Sequence, residues 1–336
     1  SFAGGGTDIP EFYKNYGPGV VVSTAIDRYV YVTLNKKFDG KVSVRYSAHE
    51  NAESVKELKH VRIREALLFY GIQNGVEIVV ASEVPARGSG LGASSAMTVA
   101  LCLALEKFTG KTFPGNYGGL AESQLAETAA RIEIDICGSP IGKQDHYASA
   151  FGGLNRFDFN ADGTVEAETF PEGDFSREIE SQSMLFYLNM EHEYRDQHLI
   201  SWILKDQKAE IHEKRKIHEL QRDNAIRLWE NMAYEVPERF IDHVNENWRI
   251  KRTVHEKITN GKIDGIIQKA YAAGATAAKV SGQGGGGFIY LMCPPSMQGS
   301  VRGELSDLHE LKFGFSQKGA EVIFDGLPRK AVGTGV

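Results

Sequence analysis

Hydrophobic positions in the first half of the chain form short runs rich in valine, isoleucine and tyrosine, separated by short polar breaks. Runs of this length and composition are typical of β-strands bounded by turns. They predict strands at residues 19–26, 29–34, 41–47 and 76–83. Because only short breaks separate the first three runs, we expect these three strands to be antiparallel neighbours in one sheet.

Longer segments carry apolar residues at helical spacing, which predicts helices between and after the strands. In the first half these helices are expected at residues 57–70, 94–108 and 121–134. The middle one is apolar on most sides, as a helix buried against a sheet would be.

The second half of the chain begins with a different pattern, a long charged helical stretch at residues 193–231. It is followed by an alternation of helices and strands. The helices are expected at residues 263–273 and 299–310, and the strands at residues 288–293 and 320–324.

The length of 336 residues favours two domains. Residues 160–163 read as a loop, and the composition changes some thirty residues later to the charged stretch that begins at residue 193, so we place the boundary near residue 160. We therefore expect residues 1–160 and 161–336 to form separate domains. The chain opens at Ser1 inside what reads as the end of a strand, so we expect further residues to precede it.

Composition and charge narrow the class of protein. Apolar residues make up 42% of the chain and charged residues 24%, as in ordinary globular proteins. The net charge of -6 gives no reason to expect nucleic acid as the main partner. The longest apolar run, residues 96–105, is much shorter than the roughly 20 residues of a membrane span. We expect a cytoplasmic protein with a small-molecule partner, and the sequence leaves its oligomeric state open.

The most informative motif is a glycine-rich turn at residues 85–96, where a strand runs into an apolar helix. Glycines allow the backbone to approach a ligand closely, and the free N–H groups of a first helical turn attract anions. The residues expected to hold a phosphate group are Gly88, Ser89, Gly90, Leu91, Gly92, Ala93, Ser94 and Ser95. Ser94 could also contact a metal ion. The alternative is a plain glycine turn in which Ser94 caps the helix.

A second glycine cluster, residues 281–287, has the GxGxxG spacing of dinucleotide-binding proteins. However, a strand follows it at residues 288–292, whereas the dinucleotide motif must open a helix. Consecutive glycines indicate that the backbone passes close to a ligand or to a packed neighbour, and the sequence leaves both alternatives open.

Candidate catalytic groups lie in a polar stretch at residues 138–147 and in the helix before it. Asp145 is a candidate base and Lys143 a nearby cation, as phosphoryl transfer requires. Alternatively, Asp145 caps the following turn. Glu133 is a candidate carboxylate ligand for Mg²⁺, and Asp135 is its rival.

A further polar stretch at residues 2–8 ends in Thr7 and Asp8 after three glycines. Carboxylates accept hydrogen bonds from vicinal hydroxyl groups, and glycines let a ring approach the backbone, so this stretch could hold a sugar. An Asx-type turn at Thr7 and Asp8 is the alternative.

In this order, the motifs resemble those of the GHMP small-molecule kinases, a family that includes galactokinase, homoserine kinase and mevalonate kinase. Residues 90–96 are similar to the family's second motif. Ala93 replaces the first serine of that motif, and Ser94 matches the serine that contacts Mg²⁺ in the family. Asp145 matches the catalytic aspartate, and Glu133 falls where members carry a magnesium-binding glutamate. Residues 281–287 correspond to the third motif.

This resemblance implies an α+β fold of two domains, the first with a left-handed βαβ unit and the second ferredoxin-like. It also implies an enzyme that uses ATP and Mg²⁺, with ATP and the acceptor meeting in the cleft between the domains. Within the family, the motifs are most similar to those of members that phosphorylate the anomeric hydroxyl of D-glycero-D-manno-heptose 7-phosphate, giving the 1,7-bisphosphate. The acceptor contacts so implied are Gly6, Thr7, Asp8, Lys143, Gly284 and Gly285.

Two alternatives stay open: a fucose- or galactose-type sugar 1-kinase, and a sensor of the same fold that binds sugar and ATP without turnover. Candidates for holding an acceptor phosphate are Arg195, Lys143 and the backbone of residues 284–287. The chain departs from the family pattern at His146, where glutamine is expected, and at residues 188–195. The basic residue of the family's first motif would precede Ser1.

Overall fold

We analysed a computed structural model of the chain, which describes residues 1–85, 88–112, 121–188 and 212–326. Its first half contains helices and strands in alternation. In chain order they are α1 (Pro10–Tyr16), β1 (Gly19–Thr24), β2 (Val30–Lys36), β3 (Val42–Arg45), β4 (His49–Ala52), α2 (Val61–Phe69), β5 (Val76–Ser82), α3 (Ala93–Thr109), α4 (Ala121–Ala130), α5 (Gln144–Phe151), β6 (Leu154–Phe159) and β7 (Val165–Phe170). A π-helical turn, Arg131–Ile136, extends α4.

The strands of this half form two sheets, in the orders β1-β6-β7 and β2-β5-β3-β4. The prediction that the first three strands are antiparallel neighbours is therefore wrong. β1 pairs with β6, β2 pairs antiparallel with β5, and β3 pairs parallel with β5. β3, α2 and β5 thus form a βαβ unit, a long-range arrangement that short breaks between strands do not reveal.

Helix α3 lies at the centre of the first half. Its side chains Leu101, Cys102 and Leu105 are fully buried in a hydrophobic core shared with the β2-β5-β3-β4 sheet, α2 and α4. The burial of this helix on several sides agrees with its apolar pattern. The packing fixes the position of its N-terminus, which follows the first glycine motif.

The second half contains five helices and four strands within the described residues. They are α6 (Asp174–Gln182), β8 (Ser183–Tyr187), α7 (Arg215–Met232), α8 (Pro237–Lys251), α9 (Gly261–Ala272), β9 (Ala277–Val280), β10 (Phe288–Met292), α10 (Gln298–Glu304) and β11 (His309–Leu311). The sheet order is β11-β8-β10-β9, and every pair in it is antiparallel. From β8 onward this is the βαββαβ arrangement of a ferredoxin-like domain, as expected.

Two local predictions in this half are wrong. Residues 320–324 form no strand, and Ile323 and Phe324 are 74% and 84% exposed, so no neighbouring strand pairs with them in the described structure. The helix predicted at 299–310 ends at Glu304, after which His309 begins β11. Of the predicted charged helix, residues 193–211 lie outside the described residues, and α7 falls within the remainder. None of the described helices is both long and apolar enough to cross a bilayer.

The two halves share a hydrophobic cluster. Phe2, from the start of the chain, contacts Phe240 of α8 and Tyr290 of β10 with ring centroids 4.9 and 5.6 Å apart. Val20 and Val22 of β1 belong to the same cluster. The domain boundary near residue 160 stays a prediction. β7, which follows that residue, pairs with β6, which precedes it.

Candidate active site

The first glycine motif forms a turn at the N-terminus of α3. Gly88, Gly90 and Gly92 have φ values of 70°, 70° and 73°, which favour glycine over residues with a side chain. Among the described residues no side chain caps this helix end, which leaves the first-turn amides beside Ala93 and Ser94 available to an anion. Ser94 is partly exposed, whereas Ser89 and Ser95 are buried, and Leu91 packs against the cluster shared by the two halves.

The second glycine cluster packs directly against the first. A Cβ on Gly90 would lie 2.7 Å from the carbonyl oxygen of Ser281, and one on Gly282 would overlap Gly90. The amide of Phe288 also donates a hydrogen bond of 3.1 Å to the Ser89 carbonyl. Backbone packing between the motifs therefore accounts for at least part of the second glycine cluster, and it brings the two halves together at this loop.

Gly284 and Gly285, which the family resemblance places at the acceptor, face Ile258. A Cβ on Gly284 would lie 2.7 Å from Ile258 Cγ2, and the amide of Gly285 donates a hydrogen bond of 2.8 Å to the Ile258 carbonyl. That amide is therefore already engaged. Acceptor binding by these two glycines stays a prediction.

Asp145 lies in the first turn of α5, next to the phosphate-loop glycines. A Cβ on Gly92 would be 3.2 Å from the carboxyl carbon of Asp145. The side chain of Asp145 reaches solvent, and no described residue donates a hydrogen bond to its carboxylate. The alternative that Asp145 caps the turn is therefore not supported by a capping hydrogen bond. Surrounding protein nevertheless desolvates the group and raises its pKa, although nearby positive charges, including Lys251, oppose the shift.

Asp8 supports the loop that carries Asp145. Its carboxylate, 1% exposed, accepts hydrogen bonds from the Gln144 backbone amide at 2.9 Å, from the Gln144 side chain at 3.2 Å and from the Gly6 amide at 3.1 Å. A Cβ on Gly142 would collide with it. Burial raises the pKa of Asp8, and the bond from the Gln144 amide opposes this. The residue thus anchors the start of α5, and its oxygens could accept one further donor.

The neighbouring Thr7 is fully buried. Its hydroxyl lies 2.8 Å from the Gly4 carbonyl, and it accepts a hydrogen bond of 3.0 Å from the Val20 amide. These bonds hold the turn to β1, so the Thr7 side chain has a structural role here. Its contact with an acceptor stays a prediction.

Two polar side chains of α7 face the same turn. A Cβ on Gly6 would lie 3.6 Å from His218 Cε1 and 3.9 Å from Gln221 Oε1. Both side chains are 1% exposed, and within the described residues neither ring nitrogen of His218 nor the Gln221 oxygen has a hydrogen-bond partner. Burial lowers the pKa of His218 to about 4, and the adjacent Gln221 opposes this. At neutral pH this pair therefore presents uncharged donors and acceptors beside Asp8.

Glu133 is the centre of a buried polar network. Its carboxylate, 1% exposed, accepts hydrogen bonds from Ser94 at 2.5 Å, from Thr98 at 2.9 Å and from His146 at 3.0 Å, and it forms an ion pair of 3.0 Å with Arg62. Burial raises its pKa, but these hydrogen bonds and positive charges outweigh burial and lower the pKa to about 2. The carboxylate is therefore ionised at neutral pH.

Ser94 and Glu133 offer a hydroxyl and an ionised carboxylate at the phosphate loop, which are ligand types that Mg²⁺ accepts. Both oxygens of Glu133 are already engaged in this structure, by Ser94, Arg62, Thr98 and His146, so Mg²⁺ binding by this pair stays a prediction. The described residues contain no group of three metal-ligating side chains, so phosphate and water oxygens would have to complete the coordination. Asp135, the rival ligand, is exposed and lines a different cavity, with Tyr13 and Lys143.

Lys143, the cation predicted near Asp145, is engaged elsewhere. Its ammonium lies 2.8 Å from both carboxylate oxygens of Glu127, which also accepts a hydrogen bond of 2.7 Å from Tyr147. Arg195, another candidate for an acceptor phosphate, lies outside the described residues.

Sequence reasoning missed several groups at this site: Lys251, Arg62, Thr98, His218 and Gln221. His218 comes from the stretch that the sequence pattern predicts as a charged helix, and Lys251 comes from α8, for which the sequence analysis made no prediction. The pattern of one helix does not show which of its polar residues faces a cleft, so no local signal pointed to them.

Comparison with known families agrees with this architecture. The N-terminal domain of the GHMP kinases matches residues 55–153, and the C-terminal domain of the same family matches residues 232–308. Together the two matches cover just over half of the chain. The chain therefore belongs to the GHMP kinase family. It is an enzyme, a small-molecule phosphotransferase, and ATP is its phosphoryl donor.

Similar proteins within the family act on different acceptors. A D-glycero-alpha-D-manno-heptose 7-phosphate kinase of Campylobacter jejuni is 28% identical over 88% of this chain and 87% of its own length. A mevalonate kinase of Methanothermobacter thermautotrophicus is 27% identical over 89% of this chain and 91% of its own length. A crystal structure described as a D-glycero-D-manno-heptose 1-phosphate kinase from Bacteroides thetaiotaomicron superposes with a TM-score of 0.74 at 22% identity, over 95% and 94% of the two chains.

Proposed function

We propose that the chain transfers a phosphoryl group from ATP to the anomeric hydroxyl of D-glycero-D-manno-heptose 7-phosphate, giving the 1,7-bisphosphate. The proposed acceptor is carried by the similarity to a heptose 7-phosphate kinase over 88% of the chain. The site supports phosphoryl transfer independently, because Asp145 lies directly beside the glycine turn that would hold the ATP phosphates.

In this proposal Asp145 accepts the proton of the anomeric hydroxyl or orients that hydroxyl for attack. Its carboxylate has no described donor to compete for the acceptor, and a raised pKa makes it a better base than an ordinary aspartate. The amides at the start of α3 bind phosphate oxygens. Ser94 and Glu133 would hold Mg²⁺, which supplies positive charge that offsets the charge of the phosphates.

We place the sugar ring between Asp145 and the turn at residues 4–8. Asp8, His218 and Gln221 line this turn with hydrogen-bonding groups, and among the described residues the ring nitrogens of His218 and the side-chain oxygen of Gln221 have no hydrogen-bond partner. An uncharged imidazole and an amide suit hydroxyl groups, whereas a phosphate dianion requires cations or a cluster of amides. We therefore expect these two residues to contact sugar hydroxyls rather than the 7-phosphate.

Mevalonate is the second candidate acceptor, since an archaeal mevalonate kinase is nearly as similar to the chain over the same length. The two acceptors differ chemically: the heptose offers many hydroxyls and a phosphate, and mevalonate offers a carboxylate and few hydroxyls. The uncharged pair on α7 favours the sugar.

The test is an ADP-release assay with heptose 7-phosphate, unphosphorylated heptose, fucose, galactose and mevalonate. We expect the highest kcat/KM for heptose 7-phosphate. Heptose without its phosphate should be poorer, because each charge-assisted hydrogen bond lost is worth roughly 1.5 to 3 kcal/mol. Equal kcat/KM for the two heptoses would favour a fucose-type kinase, and turnover of mevalonate alone would overturn the sugar assignment.

A further inference from the structure

A lysine from the second half of the chain lies beside the glycine loops, and no carboxylate of the described residues forms an ion pair with it. Lys251 is the last residue of α8, and its ammonium donates a hydrogen bond to the Gly282 carbonyl. Within the described residues no carboxylate lies at ion-pair distance from it. The neighbouring basic residues of this helix end differ, because Arg249 pairs with Glu246 at 2.6 Å and Arg252 with Asp264 at 3.0 Å.

Backbone contacts place this lysine at the phosphate loop. Gly282 packs against Gly90, and a Cβ on Gly92, two residues further on, would lie 3.2 Å from the carboxyl carbon of Asp145. Lys251, the loop and Asp145 therefore lie close to one another. Burial lowers the pKa of Lys251 to about 8, while the charge of Asp145 raises it, so the ammonium is largely protonated at neutral pH.

An ammonium in this position has unused capacity for a ligand. It carries three N–H donors, and the described residues engage one of them, through the Gly282 carbonyl. Removing an unpaired charge from water is unfavourable, so a partly buried lysine with no carboxylate beside it indicates an anionic ligand. The anion that must lie between the loop and Asp145 during the reaction is the terminal phosphoryl group of ATP.

We propose that Lys251 binds the terminal phosphoryl group of ATP during its transfer and stabilises the charge that develops on it. In that step the acceptor oxygen forms a bond to the γ-phosphorus, and its proton goes to Asp145. The bond from the γ-phosphorus to the β,γ-bridging oxygen breaks, and its electron pair leaves with ADP. Lys251 stays protonated throughout. The inference rests on kinase activity and not on the identity of the acceptor.

The test compares Lys251→Met and Lys251→Arg with Arg252→Met, an equal change of charge at the exposed neighbouring residue. Calorimetry gives the Kd of ADP and of the non-hydrolysable analogue AMPPNP for each protein, and kcat is measured separately. For Lys251→Met we expect kcat to fall by about 10²- to 10³-fold, the usual loss for one transition-state donor. Its affinity for AMPPNP should fall while its affinity for ADP is unchanged. Lys251→Arg should retain part of the wild-type kcat and part of the affinity for AMPPNP. Arg252→Met should match the wild type in both measurements.

If Lys251→Met weakened the binding of ADP and of AMPPNP equally, the proposal would be overturned, because Lys251 would then only support the loop through Gly282. An unchanged kcat in Lys251→Met would also overturn it. If Lys251→Met fails to fold, Lys251→Gln keeps a donor for the Gly282 carbonyl without the charge, and the same nucleotide comparison applies. The binding comparison needs no acceptor, so it decides this inference even if heptose 7-phosphate proves not to be the substrate.

Discussion

Asp145 combines an exposed carboxylate with a position next to Gly92, so its chemical contribution can be separated from nucleotide binding. We expect Asp145→Asn to lower kcat by about 10²- to 10⁴-fold, the range for a positioned base. ATP affinity measured by calorimetry should be unchanged, because the phosphate loop is intact. Asp135→Asn, on the exposed turn after α4, is the matched control. Wild-type turnover in Asp145→Asn would remove this residue from the mechanism.

His218 allows a prediction about stability and pH. Its folded pKa is about 4, below the ordinary value of 6.5, so the unfolded chain binds more protons between these two values. The free energy of unfolding should therefore fall as the pH falls through this window, and the loss should be absent above it. We expect the free energy of unfolding of His218→Gln, measured with urea at the two ends of this pH window, to fall less than that of the wild type. His309→Gln, at an exposed position, should behave as the wild type. The same pH dependence in His218→Gln would contradict the burial of a neutral imidazole.

The residues that sequence motifs could predict are those carried by short local patterns. Ser94, Glu133 and Asp145 were predicted as candidates, and the structure places all three around the start of α3. His218 and Lys251 could not be predicted, because each reaches the site from a helix more than 70 residues beyond Asp145 in the chain. Their position depends on how the halves pack, which no local pattern encodes.

The two glycine loops form a contact that substitutions can test. Gly282 has a φ of 62° and packs against Gly90, so Gly282→Ala would strain the backbone and displace the phosphate loop. We expect weaker ATP binding and a lower Tm. Gly265→Ala, in the middle of α9 with open space around it, is the control and should raise stability by roughly 0.5–1 kcal/mol. Unchanged ATP affinity in Gly282→Ala would mean that the loop does not depend on this contact.

At the scale of elements, most of the segments that periodicity predicted have the expected type, but periodicity did not predict every element, α8 among them, and it did not predict how the strands pair. The helix expected at residues 94–108 is α3, Ala93–Thr109, because a long apolar helix is specified by its own residues. The pairing of β3 with β5 joins strands that α2 separates, and a run of apolar residues does not specify its partner. The apolar residues at 320–324 read as a strand for the same reason, although no described strand lies beside them.

For the whole molecule, the cleft depends on both halves being held in one arrangement. The hydrophobic cluster around Phe2 joins the first strand to α8 and β10, and the glycine loops join the phosphate-binding turn to the second half. The ferredoxin-like order of the second sheet was expected from the family resemblance and could not have been obtained from the strand pattern alone. The turn at residues 4–8 proposed to bind the acceptor, the phosphate turn and Lys251 are consequently brought together by this packing.

The most direct measurement of the proposed function is the position of the new phosphate in the product. Wild-type enzyme, ATP and D-glycero-D-manno-heptose 7-phosphate would be followed by phosphorus and proton NMR, with the much slower Asp145→Asn variant as the control. We predict one new phosphorus signal coupled to the anomeric proton, growing in step with ADP, while the 7-phosphate signal persists. A phosphate on any other hydroxyl, or no transfer to this sugar under conditions in which mevalonate is phosphorylated, would contradict the proposed function.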